Sequence, residues 1–312
     1  TDIHGVLRTR KHPLFSVFIF PLVKALSISG IDKGTAARLV FSGIAGVWVL
    51  LLFGVLRRRL PRLDAFIFGC VGLLSSAFLF WSWATETFLL SSVTILFATF
   101  IFDRKSRHPL LLHFAAGFAT LSVTITNWTA ALLSSALSLP LSKAVRVSLL
   151  ALVAVAGLAT LQSRILRTQG LFFDIREQAS RETAYVNHTA AGGLPHRWRM
   201  FWIGGVLLPG VEPRMVQING DERPMLSAQT APGNLLWMTG ATVWLFVLGA
   251  GLFTALRRRS AFDIYLLTLT GFHLLLHTVY GYETFLYTMH FTPLLILIAA
   301  NAASVYRNAV LT

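Results

Sequence analysis

The sequence predicts an all-α integral membrane protein in which apolar helices form a multispan bundle. Hydrophobic residues make up 55% of the 312 residues, and charged residues only 13%. Soluble domains contain about 45–50% apolar and about 25% charged residues, and the mean hydropathy is +0.66. The formal net charge of +14 comes largely from short Lys and Arg clusters between apolar runs. Membrane topology accounts for such clusters, so no nucleic-acid partner is expected.

Nine apolar runs are interpreted as membrane spans, because a bilayer core needs about 20 apolar residues per helix. They cover residues 37–56, 64–82, 86–102, 110–126, 128–140, 146–162, 235–256, 262–280 and 285–305. The fifth run is short. It is interpreted either as a span of its own or as one of two broken helices that meet at Asn127, which leaves the exact helix count open.

The orientation of the spans follows from the short loops, where Lys and Arg mark the cytoplasmic side. The basic loops are "RRRLPR" at 57–62, "DRKSRH" at 103–108, "SKAVR" at 142–146 and "RRR" at 257–259. They alternate with turns that hold no Lys or Arg, at 83–86, 127 and 281–284. These turns are predicted to face outward and the C-terminus to be cytoplasmic. Nine spans place residue 1 outside, so we expect one further span upstream of it.

Four regions follow from this topology. Residues 1–35 form an extracytoplasmic loop and an outer juxtamembrane helix, and residues 36–162 a transmembrane bundle of about six spans. Residues 163–233 form an extracytoplasmic loop region of mixed structure, and 234–312 three C-terminal transmembrane helices. The juxtamembrane helix is "HPLFSVFIFPLVKAL" at 12–26, which contains two prolines and is too short for a span. In the loop region, "HRWRMFWIGGVLLPG" at 196–210 is expected to lie on the surface.

The topology gathers unusual polar residues at the outer face. The tetrapeptide ETFL occurs at 86–89 and again at 283–286, each time at the start of a helix that descends from that side. A structural role explains the first copy as well as a functional one does: Thr85 as N-cap, with the Glu86 carboxylate in the first turn stabilising by about 0.3–1 kcal/mol. The whole predicted group is Asp2, His4, His12, Thr85, Glu86, Thr126, Asn127, Tyr280, Tyr282, Glu283, Tyr287 and His290.

Several members of this group carry specific expectations. Glu283, Tyr287 and His290 share one helix face, and ionisable groups within spans are functional candidates by default. His12 stands just before the juxtamembrane helix, where it is either an ordinary loop histidine or a donor to phosphate aided by the preceding basic residues. Asn127 is assigned a hydrogen-bonding or helix-breaking role.

Metal and nucleotide chemistry are disfavoured by the sequence. His273 and His277 are four residues apart on one helix, but no carboxylate accompanies them, so a packed polar face or a wet cavity is preferred over a metal site. The sequence contains no G-x-x-x-x-G-K-[ST], G-x-G-x-x-G, G-x-S-x-G or D-x-D motif. ATP-driven transport, dinucleotide chemistry and serine hydrolysis are therefore disfavoured as functions.

Short motifs in a fixed order suggest a family. These are "HPLF" followed by "PL" in the juxtamembrane helix, "TETF" at 85–88, "TN" at 126–127, and "YGYE" followed by "FLY" and "HF" at 280–291. These motifs occur in this order and are all predicted to lie on the outer side of the membrane. In both respects the chain resembles bacterial multispan glycosyltransferases of the GT-C type. The resemblance extends over nearly the whole chain through these scattered motifs.

The resemblance implies a polyprenyl-phosphate-linked sugar donor, used on the extracytoplasmic face of the bacterial inner membrane. It also implies a catalytic base in the first outer loop. Asp2 is the only acid before the juxtamembrane helix, so it inherits that role, with Glu86 as the other candidate in this sequence and an acid upstream of residue 1 as the alternative. The residues expected to bind substrate are His4, Arg8, Arg10, Lys11, His12, Asn127, Tyr282, Glu283, Tyr287 and His290. No cofactor is expected: the lipid-linked sugar is a substrate, and a divalent metal is not indicated.

Two non-enzymatic interpretations remain open. One is an accessory or scaffold subunit of a membrane complex, including a degenerate transferase, whose partners would be membrane lipid and other proteins. The other is a transporter, because broken helices with polar residues at depth also occur in secondary transporters. The gathering of unusual residues at one face, rather than at the midplane, disfavours the transporter.

Overall fold

The computed structural model describes residues 12–103, 108–166, 183, 186, 193–218, 221–281 and 284–303. In these ranges the chain is predominantly helical. The helices are α1 (Phe15–Ile28), α2 (Lys33–Arg59), α3 (Arg62–Leu74), α4 (Ser76–Trp83), α5 (Thr87–Phe102), α6 (Pro109–Val123), α7 (Trp128–Ser138), α8 (Leu141–Leu166), α9 (Leu194–Arg199), α10 (Leu235–Arg258), α11 (Ala261–Val279) and α12 (Thr288–Ala299). Two strands, β1 (Gly210–Ile218) and β2 (Asp221–Thr230), pair as an antiparallel hairpin.

Four of the described helices, α2, α8, α10 and α11, are long and apolar enough to cross a membrane. A fifth candidate is the bent pair of α3 and α4, which meet at 55°. Each of the nine predicted runs coincides with helix, but α5, α6, α7 and α12 have only 16, 15, 11 and 12 residues. Of the nine runs interpreted as spans, one of them short, four or five therefore form helices long enough to cross a membrane within the described residues. The helices α5, α6 and α7 are nearly as long as the runs that predicted them, whereas α12 is shorter than the run at 285–305 because an irregular turn at Thr284–Tyr287 precedes it.

Apolar side chains cover much of the outer surface of the long helices. Leu50 on α2 is 71% exposed, Phe246 on α10 67% and Leu275 on α11 72%. Water-soluble monomers rarely expose large contiguous apolar patches. Such a surface is what helices facing lipid present.

The centre of the bundle is α12, whose residues are all buried from Thr288 to Ala299. A helix that is apolar on all sides is typical of the core of a large bundle. It packs on α5, α10 and α11. Two glycines permit this packing: a Cβ on Gly251 of α10 would overlap the backbone of Ile298, and one on Gly205 would overlap the side chain of Thr292.

The segment after α9 enters the bundle, which corrects the expectation that residues 196–210 lie on the surface. Phe201 is 1% exposed, and its ring stacks on that of Phe291 with centroids 4.1 Å apart. The carbonyls of Gly205 and Val206 accept hydrogen bonds from the backbone of Ala77 and Ser76, at 3.0 and 3.1 Å. They satisfy the free N–H groups at the start of α4, which would be costly to leave unpaired inside a bilayer.

An N-cap on α10 provides a local test of the fold. The side-chain oxygen of Asn234 accepts a hydrogen bond from the backbone N–H of Trp237 at 2.8 Å. We expect Asn234→Ala to destabilise the protein by about 1 kcal/mol, because that N–H loses its partner. Thermal unfolding in detergent measures the change. Asn234→Asp retains an acceptor and should behave like the native protein; equal losses in both variants would contradict the capping role.

Candidate functional site

Predicted site residues from four separate parts of the sequence meet at one end of the bundle, as far as they lie in the described ranges. This end holds the starts of α1, α5, α7 and α12 and the end of α11. We call the following residues the polar cluster: His12, Thr87, Ser91, Thr124, Asn127, His273, His277, Tyr287 and His290.

His12 is fixed by two different parts of the chain. Its Nδ1 lies 2.7 Å from the carbonyl oxygen of Val123, and its Nε2 lies 3.1 Å from the hydroxyl oxygen of Thr87. A carbonyl can only accept, so Nδ1 carries a proton. In the neutral ring Nε2 then accepts from the Thr87 hydroxyl, and in the protonated ring it donates to it. The histidine is thus positioned for proton exchange at Nε2.

The neighbouring residues at the break between α6 and α7 hold this arrangement in place. The hydroxyls of Ser91 and Thr124 are 2.9 Å apart, and Asn127 donates from Nδ2 to the Ser91 carbonyl at 3.2 Å. Of the two interpretations of this region, the structure favours two short helices that meet near Asn127, joined by a 3₁₀ turn at Ile125–Asn127. The Oδ1 atom of Asn127 is buried and has no hydrogen-bond partner among the described residues.

Three histidines on α11 and α12 form a group of their own. The ring centroids of His273 and His277 are 5.8 Å apart, and His290 lies 6.2 and 6.4 Å from them. All three are at most 4% exposed. Both ring nitrogens of His273 and the Nε2 of His290 are buried without a hydrogen-bond partner in the described part of the chain.

Aromatic rings join the histidines to the start of α5. The ring of Tyr287 stacks on His277 with centroids 4.6 Å apart, and Phe88 lies 5.7 Å from both Tyr287 and His290. On its other side, Phe88 contacts Trp81 at 4.3 Å. Because Phe88 follows Thr87 directly, the histidine group and the His12 site belong to one continuous cluster.

Glu86 lies at the edge of the cluster, one residue before Thr87. The sequence prediction of Thr85 as N-cap is wrong, because α5 begins at Thr87 and Glu86 itself occupies the N-cap position. The Glu86 side chain makes no capping hydrogen bond. A carboxylate needed only to start the helix would be expected to make one.

The short helix α9 docks against the same end of the bundle. Arg197 donates to the carbonyl of Thr278 at 2.6 Å, and the indole N–H of Trp198 donates to the Thr278 hydroxyl at 3.1 Å. Burial, with Arg199 and Arg197 nearby, lowers the pKa of His196, so its neutral Nδ1 can accept from Arg199 at 3.1 Å.

The structure thus brings together five predicted site residues: His12, Glu86, Asn127, Tyr287 and His290. The other predicted residues, Asp2, His4, Arg8, Arg10, Lys11, Tyr282 and Glu283, lie outside the described residues.

The prediction did not include Thr87, Ser91 or Thr124, although hydroxyl residues inside apolar runs were a visible signal. It also kept His273 and His277 apart from the site, because their distance to His290 depends on tertiary packing.

The chemistry available to the cluster is that of hydroxyl, amide and imidazole groups enclosed by aromatic rings. Within the described ranges, no group of three or more His, Cys, Asp or Glu side chains has an arrangement that could hold a metal ion. Searches against family models, curated proteins and solved structures find no match for this chain.

Proposed function

We propose that the protein is a membrane glycosyltransferase that moves a sugar from a polyprenyl-phosphate donor to an acceptor on the extracytoplasmic face of the bacterial inner membrane. The supporting observation is that predicted site residues from four separate motifs, where the structure describes them, lie in or beside one polar cluster at one end of an apolar bundle. In this proposal the bundle spans the membrane as a multispan helical protein, with α1 as the outer juxtamembrane helix and residues 163–233 as the extracytoplasmic loop region. The C-terminus is cytoplasmic.

The proposed reaction assigns a role to each group. The bond between the sugar carbon and the phosphate oxygen breaks, and the acceptor oxygen forms a bond to that carbon. The acceptor proton passes to a carboxylate, Asp2 or Glu86, acting as general base. The leaving polyprenyl phosphate gains negative charge, which basic groups near His12 stabilise. Aromatic and imidazole side chains such as Tyr287 and His290 orient the sugar or the acceptor.

Retained lipids provide the first test of this proposal. Mass spectrometry of lipids retained by the gently purified protein is expected to detect polyprenyl phosphate or its glycosylated form. His12→Ala should reduce this retention by about tenfold, because in this proposal the protonated Nε2 turns from the Thr87 hydroxyl to the phosphate, and that charged hydrogen bond is lost.

A matched control for this test is His108→Ala, since His108 is the residue before α6 at the opposite end of the helix. It should retain lipid like the native protein. Bulk phospholipid alone in all three proteins would contradict the proposed donor site.

The burial of the histidines favours a second candidate, a non-catalytic accessory subunit. His273 has no exposed surface at all, and His290 is 4% exposed. A closed polar cluster can fix the packing of helices without binding a substrate. Under this proposal His12→Ala changes assembly of the membrane complex and leaves lipid retention unchanged.

A further inference from the structure

The three histidines on α11 and α12 are buried at a cost in free energy. His273 has no exposed surface, so no water molecule contacts its ring in this state. Both of its ring nitrogens, and the Nε2 of His290, lack a hydrogen-bond partner among the described residues. A polar atom buried without a partner destabilises the folded state. A state of the bundle that gave these nitrogens a partner would recover that free energy.

Another buried histidine of the same bundle is paired. His113 on α6 is 5% exposed, and its Nδ1 lies 3.3 Å from the hydroxyl oxygen of Ser135 and 3.5 Å from that of Ser134. Burial in this bundle therefore does not by itself leave an imidazole without a partner. The unpaired nitrogens of His273 need a separate explanation.

The ring of Tyr287 covers the histidine group. It stacks on the ring of His277 with centroids 4.6 Å apart, and it lies edge-on to Phe88 at 5.7 Å. Tyr287 is half-buried, whereas the three histidines are at most 4% exposed. It belongs to the 3₁₀ turn Thr284–Tyr287 that precedes α12. The ring is therefore the outer layer of the stack, on a segment that can move without unwinding α11.

Gly281 makes room for Tyr287 in this position. Its φ is +121°, in a region that residues with a side chain rarely adopt. A Cβ at this position would lie 2.7 Å from the Cε2 atom of Tyr287. The covered state therefore requires glycine here. Small residues at the ends of elements also absorb the changes in backbone angle that lid motions need.

We propose that Tyr287 is a lid over a polar site formed by His273, His277 and His290, and that this structure shows the lid closed. Opening makes the ring nitrogens available to hydroxyl groups, because a neutral imidazole both donates and accepts hydrogen bonds. The ligand is therefore a neutral molecule with hydroxyl groups, either water or a sugar. Only the sugar rests on the proposed transferase function; the lid does not.

The opening is tested by the rate at which diethyl pyrocarbonate modifies each histidine. The full chain is treated in detergent, and the modified peptides are counted by mass spectrometry. Burial alone predicts that His273 reacts more slowly than His113, because His273 is the less exposed of the two. The lid predicts the opposite order, since local opening exposes His273 while the rest of the bundle stays folded. If His273 reacted no faster than His113, the proposal would be overturned.

Two variants displace the lid in different ways. Tyr287→Ala removes the ring and should speed the modification of His273 by about tenfold, because a stacked aromatic contact and its burial are lost. Gly281→Ala keeps the ring but places a Cβ against it, so it should act in the same direction. Gly271→Ala is the matched control on α11, because a Cβ there would meet no atom within 4 Å.

The reaction of His113 separates lid opening from unfolding. His113 should keep its native rate in all three variants. Equal acceleration of His113 and His273 would assign the effect to unfolding of the bundle, and an unchanged rate of His273 in both lid variants would show that Tyr287 does not cover it. Either result would contradict the lid.

A neutral sugar distinguishes the two sources of hydroxyl groups. Methyl glucoside is added to the native protein during the modification. If a sugar occupies the open site, His273 is modified more slowly and His113 at its usual rate. If neither rate changes, the open site takes up water and the sugar is excluded as its ligand. The lid and the transferase can fail separately, because the retention of polyprenyl phosphate is measured independently of these rates.

Discussion

Gly251→Ala is expected to destabilise the protein by about 1–3 kcal/mol, the usual cost of overpacking a core. The added Cβ would lie 2.9 Å from the carbonyl carbon of Ile298 and 2.8 Å from the Cα of Ala299. These are backbone atoms of the central helix α12, so no side chain can rotate out of the way. The helices α10 and α12 would have to separate. Thermal unfolding in detergent measures the loss.

The same helix contains a matched control. A Cβ on Gly249 would meet no atom within 4 Å. Gly249→Ala should therefore stabilise the protein by about 0.5–1 kcal/mol, because alanine loses less backbone freedom in a helix than glycine does. The two variants differ in the sign of their effect although the chemical change is the same. If both variants were destabilised equally, the close contact of Gly251 with α12 would not be the cause of the loss.

The positions of the helices were largely predictable from the sequence, because runs of apolar residues are a local signal. The run at 235–256 corresponds to α10 (Leu235–Arg258), and the run at 262–280 to α11 (Ala261–Val279). Composition does not distinguish a helix that faces lipid from one enclosed by other helices. The complete burial of α12 therefore could not be inferred, since its sequence is as apolar as a lipid-facing span.

The bend between α3 and α4 illustrates a feature that local sequence does not encode. Residues 64–82 were predicted as one span, whereas the helix is interrupted at Ser75. The N–H groups released by the interruption bond to carbonyls of residues 205 and 206. These partners lie more than a hundred residues away in the chain, so the bend depends on a contact formed only in the folded protein.

The end of the bundle at which each candidate residue lies was predictable, because membrane topology alone decides it. Alternating basic and non-basic turns put His12, Glu86, Asn127 and His290 at one end, and the structure brings these four residues together there. The tautomer of His12 and the grouping of His273 with His290 could be assigned only from interatomic distances in the folded protein. Both arise from packing between helices that no motif specifies.

Glu86→Gln is expected to reduce transferase activity by about 100-fold or more, if Glu86 supplies the general base, since base catalysis contributes about 10²–10⁴-fold. Glutamine has nearly the same shape and cannot take a proton. Stability should change little, because the side chain of Glu86 makes no capping hydrogen bond and a carboxylate at a helix start contributes only about 0.3–1 kcal/mol. The rate is followed as release of polyprenyl phosphate from its glycosylated form, measured by mass spectrometry, which requires no knowledge of the acceptor.

The control for this substitution is Asp64→Asn at the opposite end of the bundle. Asp64 lies in the first turn of α3, so it shares with Glu86 a position at a helix start but is far from the polar cluster along the helices. Both variants should lose similar, small amounts of stability, and only Glu86→Gln should lose activity. Native rates in both variants would remove Glu86 from the reaction and leave Asp2 as the remaining candidate base within this sequence. Asp2→Asn is then the next variant to be measured, because Asp2 is the acid that precedes His12 in this sequence.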